Sequence, residues 1–180
     1  MPKISVVMAA FNEDSHISNA ILSIQNQTFK DWELVVVDDG SNDDTLAIIR
    51  KLADLDDRII LLHNNTNLGL ARSLNKGIKI SKGKYIARMD ADDFSLPTRL
   101  ELQFKFMEKN QDISVLGTGA SYVDLNGNKV LDVVFPENHD DIIRSLFRSS
   151  PLLHPTVLMR SSFIKKLDGY DESYYRGQDY

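Results

Sequence analysis

The sequence predicts an α/β fold: a mostly parallel central sheet with helices on both faces, and a smaller mixed or antiparallel part in the second half. Three observations predict it. Strand-like and helix-like segments alternate from residue 4 to residue 89, the pattern of βαβ units on a parallel sheet. The strand-like runs are apolar without interruption, as in Leu34-Val35-Val36-Val37, which suits strands covered on both faces. Polar clusters follow three of these strands, at the carboxyl ends where open parallel sheets bind ligands.

Ile4-Ser5-Val6-Val7-Met8-Ala9 reads as the first strand. Ile17, Ala20, Ile21 and Ile24 then recur at helical spacing, with Asp14 or Ser15 as candidate N-cap. Trp32 to Val37 is the second strand, and Thr45 to Leu55 a helix with Leu46, Ile49, Leu52 and Ala53 on one face. Arg58 to His63 is the third strand, Leu70 to Ser81 a helix with Gly83 as its C-cap, and Lys84 to Met89 the fourth strand. Pro97 to Asn110 has the spacing of a helix. Ser114 to Val123 reads as a strand interrupted by Gly117 and Gly119, and Asn126-Gly127 turns it into Val130–Phe135 as a hairpin. Helix patterns over Asp140 to Arg148 and Ser161 to Leu167 flank a short strand, Val157 to Met159. No repeat, low-complexity tract or linker divides the 180 residues, so a single domain over 1–180 is expected.

A net charge of −5 and a pI near 5.3 argue against a general nucleic-acid binder, which carries a basic face. With no cysteine, disulfides and thiolate metal sites are excluded. No apolar run approaches the roughly 18 residues that span a bilayer, and the N-terminus lacks signal-peptide architecture. A cytoplasmic location is expected, with peripheral contact at the inner face of the membrane left open.

Three polar clusters carry the chemistry. The first strand ends in Ala9-Ala10-Phe11-Asn12-Glu13, the second in Asp38-Asp39-Gly40-Ser41 and the fourth in Asp90-Ala91-Asp92-Asp93. Each has a plain structural reading: a helix start, a turn capped by Ser41 or Asp43, and an acidic turn capping the next helix. Carboxylates as close as those of the third cluster also raise one another's pKa unless a cation neutralises them. Mg²⁺ or Mn²⁺, hard ions that share their coordination with substrate phosphates, are the matching cofactors. Convergence of the three strand ends on one rim is more specific than any one cluster.

In content and order these clusters resemble glycosyltransferase family two, on the nucleotide-diphospho-sugar transferase (GT-A) fold. The resemblance covers nearly the whole chain. It runs through Gln27-Thr28-Phe29, Asn67-x-Gly69-Leu70-Ala71, Leu74-Asn75-Lys76-Gly77-Ile78 and Gly83 to Asp93. Further matches are Pro97-x-Arg99-Leu100-Glu101-x-Gln103, His154-Pro155-Thr156-Val157 and Gly169-Tyr170-Asp171-Glu172.

The resemblance implies a site. Ala9, Phe11, Asn12, Glu13 and Asp38 match positions that hold the uracil and ribose of a UDP-sugar, with Asp39 supporting the loop. Asp92 matches the metal-binding acid; Asp90, first acid of the DxD motif, serves ribose or metal-bound water and shares the metal, Ala91 between them counts with the nucleotide-sugar contacts, and Asp93 supports both. Arg72 and Lys76, four apart on the third helix, are candidates to face the nucleotide, while Lys79, Lys82 and Lys84 read as a solvated face. The general base of an inverting transfer falls on Asp179, beside Gln178 where the family commonly has Glu. His154 either lines the acceptor or diphosphate side or is a structural histidine.

The expected activity is metal-dependent inverting transfer from a UDP-sugar to a glycan or lipid-linked acceptor in cell-surface polysaccharide synthesis. Residues 1–93 would form the donor half and 94–180 the acceptor half, with the latter expected to be cut short after Asp179. The alternatives are a non-catalytic nucleotide-sugar-binding fragment and a nucleotidyltransferase. The last lacks a Gly-rich basic loop after the first strand to hold a triphosphate.

Overall fold

A computed structural model describes residues 1–124 and 126–174. Its main sheet has six strands in the order β3-β2-β1-β4-β8-β5. The parallel part comprises β1 (Ile4–Ala10), β2 (Trp32–Asp38), β3 (Ile59–His63) and β4 (Tyr85–Arg88). The intervening helices are α1 (Ile17–Gln25), α2 (Thr45–Ala53) and α3 (Leu70–Ile80). Every residue of β2 is buried, as its unbroken apolar run requires.

Helices cover both faces. Ile17, Ile21 and Ile24 of α1, Ile49 of α2, and Leu100 and Met107 of α4 (Arg99–Lys109) share one apolar cluster with Ile4, Val6, Met8, Leu34 and Val36. Leu74 and Ile78 of α3 join Val7, Ile86, Val157, Met159 and Ile164 in a second cluster on the other face. Because β1 pairs with both β2 and β4, the crossover changes face beside β1, and the carboxyl ends of β2, β1 and β4 form one continuous rim. Gly77 lets α3 approach closely, since a Cβ there would lie 2.6 Å from Val7 Cγ1.

The second half departs from a purely parallel plan. The segment expected as one strand from 114 to 123 divides at Gly117-Thr118-Gly119 into β5 (Val115–Leu116), which joins the main sheet, and β6 (Ala120–Val123), which pairs with β7 (Lys129–Val133) as a separate hairpin. The Thr118 amide instead donates to Thr156 Oγ1 at 3.0 Å. A 3-10 turn, His154–Thr156, precedes β8 (Leu158–Arg160), which runs antiparallel to both β4 and β5. Arg160 donates to the carbonyls of Met107 and Asn110 at the end of α4, at 3.0 and 2.9 Å, satisfying groups a helix terminus leaves open. Helices α5 (His139–Ser145) and α6 (Ser161–Lys166) complete the fold.

Two expected caps differ. Neither Asp14 nor Ser15 caps α1: its N-cap is His16, without a side-chain cap bond, and Ser15 Oγ donates to Asp14 instead. Gly83 is not the C-cap of α3, which ends at Ser81 with its hydroxyl donating to Gly77 O at 2.8 Å. The glycine serves close packing, since a Cβ at Gly83 would stand 2.5 Å from Ser5 N. Among the described residues no helix is long and apolar enough to cross a membrane.

Candidate functional site

The β1, β2 and α3 ends enclose a cleft of about 820 Å³. Its walls are Ala9 and Ala10 at the end of β1 with Phe11 beyond it, Asp39 after β2, and residues 67–72 at the start of α3, faced by Glu172, Ser173 and Tyr174. Of the residues expected to bind nucleotide-sugar, Ala9, Phe11 and Arg72 line this cleft.

Asp38 and Asp39 take different places, and Asp39 supports the adjoining loop as expected. Asp38 is fully buried and lies behind the cleft wall; its Oδ2 meets His63 Nδ1 at 2.8 Å, and its Oδ1 has no partner. Asp39 is 4% exposed, yet of the two it is the acid on the wall. It accepts from Asn64 Nδ2 at 2.7 Å and from the amides of Leu68 and Gly69 at 2.9 Å each, so it also shapes the loop that forms the opposite wall. A carboxylate has about four acceptor positions, so three bonds leave capacity for a ligand donor.

Asn12 and Glu13 spend their polar groups on the neighbouring loop. Asn12, at φ 56°, donates its amide to Ser41 Oγ at 3.0 Å, and its Oδ1 accepts from the Asn42 amide at 2.9 Å. The Glu13 amide donates to Thr45 Oγ1 at 2.7 Å, and its carboxylate meets His16 at 3.1 Å. The contacts to Ser41, Asn42 and Thr45 tie the β1 end to the β2 end, while the Glu13–His16 pair stays within its own segment. On its other side the β2 end packs against residues 66–67 through Gly40: its φ is 76°, and a Cβ would lie 2.7 Å from the Thr66 carbonyl carbon.

Next along the rim, Asp90, Asp92 and Asp93 each offer a carboxylate oxygen, all within 4.8 Å of one another. Burial first, then the charges of Asp90 and Asp92, push Asp93 up to about 6. Arg88 is 3% exposed and forms an ion pair with Asp90, while its Nε and Nη1 have no partner. Arg99 braces the turn from behind, donating to Arg88 O at 2.7 Å and to Ser95 Oγ at 2.9 Å. Burial and the neighbouring Arg88 lower its guanidinium to about 10, against the pull of Asp93. Gln27 supports the same turn through Leu96 O and the Leu100 amide, at 2.8 and 3.0 Å. Ala91 is buried beneath the acids.

Arg72 Nε lies 3.4 Å from Glu172 Oε2 across the cleft mouth, whereas Lys76 turns away to Asn64 Oδ1 at 2.5 Å. His154 Nε2 is 2.8 Å from the Tyr170 hydroxyl. Gln178 and Asp179 lie outside the described residues. Sequence reasoning gave Asp39 a supporting role only and passed over Glu172, Ser173 and Tyr174 as wall residues. The available signals are the position of Asp39 one residue beyond the buried strand and the match that includes Glu172, Gly169-Tyr170-Asp171-Glu172; Ser173 and Tyr174 carry none.

Comparison with known proteins agrees with this geometry. Residues 5–167 match the model of glycosyl transferase family 2. An uncharacterized glycosyltransferase of Methanocaldococcus jannaschii is 43% identical over 99% of this chain and 62% of its own length. The O-antigen biosynthesis glycosyltransferase WbnJ of Escherichia coli is 36% identical, over 93% of this chain and 65% of its own. The chain thus spans less than two thirds of these relatives. Among solved structures, S. aureus TarS in complex with UDP superposes with a TM-score of 0.78 at 25% identity, over 98% of this chain and 52% of TarS. The rim, the crossover beside β1 and the mixed sheet are those of a GT-A fold, and with a family match over most of its length, the chain belongs to glycosyl transferase family 2.

Proposed function

We propose that this chain is the donor-binding part of a metal-dependent inverting glycosyltransferase that uses a UDP-sugar. The observation that carries the reading is the adjacency, on one sheet rim, of a cleft walled by Asp39 and a cluster of three carboxylates. The UDP complex of TarS supports the choice of nucleotide.

In this reading Ala9, Phe11 and Asp39 hold the nucleoside, with Asp39 accepting from a base N–H or ribose hydroxyl. Asp38, Asn12 and Glu13 hold the rim together around it. Asp90, Asp92 and Asp93 fit a divalent cation: they offer hard oxygen donors close together, and Asp93 resists ionisation while they stand alone. Bound there, Mn²⁺ or Mg²⁺ supplies the positive charge that stabilises a departing diphosphate. Arg72 is the cleft's own cation, available to phosphate oxygens when it leaves Glu172. The acceptor hydroxyl oxygen forms a bond to the anomeric carbon as the bond from that carbon to the diphosphate oxygen breaks. UDP leaves with the electron pair, and Asp179 takes the hydroxyl proton.

The acceptor is a glycan or a lipid-linked glycan of the cell surface, as the O-antigen role named for WbnJ supports. A lipid-linked acceptor would bring the chain to the inner membrane face, with His154 and Gln178 on the acceptor side. Calorimetry with UDP, with and without Mn²⁺, tests the donor half. Binding that Mn²⁺ strengthens is the expected result, and no UDP binding in either condition would overturn the reading. Binding without turnover across donor sugars and acceptors would identify a non-catalytic nucleotide-sugar module instead.

A further inference from the structure

The wall formed by Glu172, Ser173 and Tyr174 comes from an exposed segment that follows α6, and one side chain on α3 grips it. Asn75 Nδ2 donates to Tyr170 O at 2.8 Å, and Asn75 Oδ1 accepts from Tyr170 N at 2.8 Å. The amide thereby imitates a strand partner, satisfying both backbone groups of a single residue. The same Nδ2 lies 3.1 Å from Glu172 Oε1, and Arg72, one turn earlier on α3, meets the other oxygen of that carboxylate.

The chain is shaped to bring the two sides this close. Asp168 and Gly169 both adopt positive φ, 62° and 86°, which turns the backbone off α6 towards α3. A Cβ on Gly169 would stand 2.3 Å from Asn75 Oδ1, so only glycine at 169 leaves room for the Asn75 amide in this position. Arg72 and residues 67–71 line the cleft from the α3 side, and Glu172 to Tyr174 line it from the other. Asn75 therefore couples the two walls.

We infer that Asn75 is a positioning residue for transfer: it fixes the 169–174 segment against α3 and so sets the cleft wall that Glu172, Ser173 and Tyr174 form. The inference rests on the glycosyltransferase reading for its catalytic consequence, and on geometry alone for the clamp. Nucleoside contacts at Ala9, Phe11 and Asp39 do not pass through Asn75, so its loss should separate binding from turnover.

The test compares wild type with Asn75→Ala, Asn75→Asp and Gly169→Ala in three measurements. In Asn75→Ala the Tyr170 amide should lose its protection from hydrogen exchange, measured by NMR. UDP affinity should stay within about threefold, and turnover should fall by about tenfold or more, as displaced catalytic geometry produces. Asn75→Asp keeps the acceptor for the Tyr170 amide but loses the donor and faces Glu172, so it should lie between the two. Gly169→Ala should mimic Asn75→Ala and add less to it than to wild type, because the Cβ clash is with the Asn75 side chain. Unchanged Tyr170 exchange in Asn75→Ala would overturn the clamp. Wild-type turnover, or UDP affinity falling in step with turnover, would overturn the positioning role. A wild-type chain that binds no UDP would instead refute the glycosyltransferase reading and leave the exchange measurement to decide the clamp.

Discussion

Asp39 and Gly69, thirty residues apart, are joined by a 2.9 Å bond from the Gly69 amide to Asp39 Oδ2. Gly69 is the N-cap of α3, at φ 92°. An acid at the end of one strand thereby receives an amide at the start of a helix, where negative charge is favoured. One carboxylate forms part of the cleft and holds the wall opposite in place.

Asp39→Asn should weaken UDP binding by about 10- to 100-fold, the loss expected when charged hydrogen bonds are removed. Both carboxylate oxygens accept here, Oδ1 from Asn64 and Leu68 and Oδ2 from Gly69, so an amide must turn its NH₂ towards a donor on one side and thermal stability should fall as well. Asp38→Asn should spare binding relative to Asp39→Asn, since Asp38 lies behind the wall. Isothermal calorimetry on both variants ranks the two acids; equal losses would contradict the assignment.

Asp92→Asn should abolish the strengthening of UDP binding by Mn²⁺ while leaving the metal-free chain at least as stable as wild type. The reason is electrostatic: three carboxylate oxygens within 4.8 Å repel, and removing one charge relieves the others. Melting curves with and without Mn²⁺ separate the effects. A variant that keeps its response to Mn²⁺ would remove Asp92 from the metal site.

At the opposite end of the sheet, Asp56 offers a pH test unconnected with the ligand. Its bonds from Arg58, and from Gln25 at 2.9 Å, hold its carboxyl below the ordinary carboxylate range. The Arg58 guanidinium is also stacked 3.8 Å from the centre of the Trp32 ring. A depressed folded value contributes stability that is complete above the unfolded value of 3.8 and is lost as pH falls through the folded one. Asp56→Asn should therefore cost about 2 kcal/mol at pH 7, with the gap to wild type narrowing as the pH drops below 4. Denaturant titrations at several pH values check the sign.

Gly40→Ala should destabilise the chain by about 2–3 kcal/mol, combining a left-handed backbone with a clash against the backbone of Thr66 and Asn67. Since Asn67 lines the cleft, UDP binding should weaken in the same variant. Native-like stability with native affinity would show that the 66–67 loop yields easily.

Much of this architecture is written in local pattern. The apolar runs at 4–10, 32–38, 59–63 and 85–88 and the helical spacing between them are short-range properties, so the parallel half and its polar strand ends are determined by the sequence alone. The spacing of Asp90, Asp92 and Asp93 likewise determines that three acids share one turn. Tertiary structure decided what depends on partners distant in the chain. The division at Gly117–Gly119 arises because Thr118 meets Thr156, 38 residues away. The antiparallel entry of β8 between β4 and β5 has no local signature, because parallel and antiparallel strands share one side-chain period. Asp38 and Asp39 are adjacent and chemically identical; in the fold Asp38 is buried against His63 on β3, while Asp39 stands on the cleft wall. The grip of Asn75 on Tyr170 spans 95 residues, and no periodicity reports a contact made through a backbone amide on one side and a side-chain amide on the other.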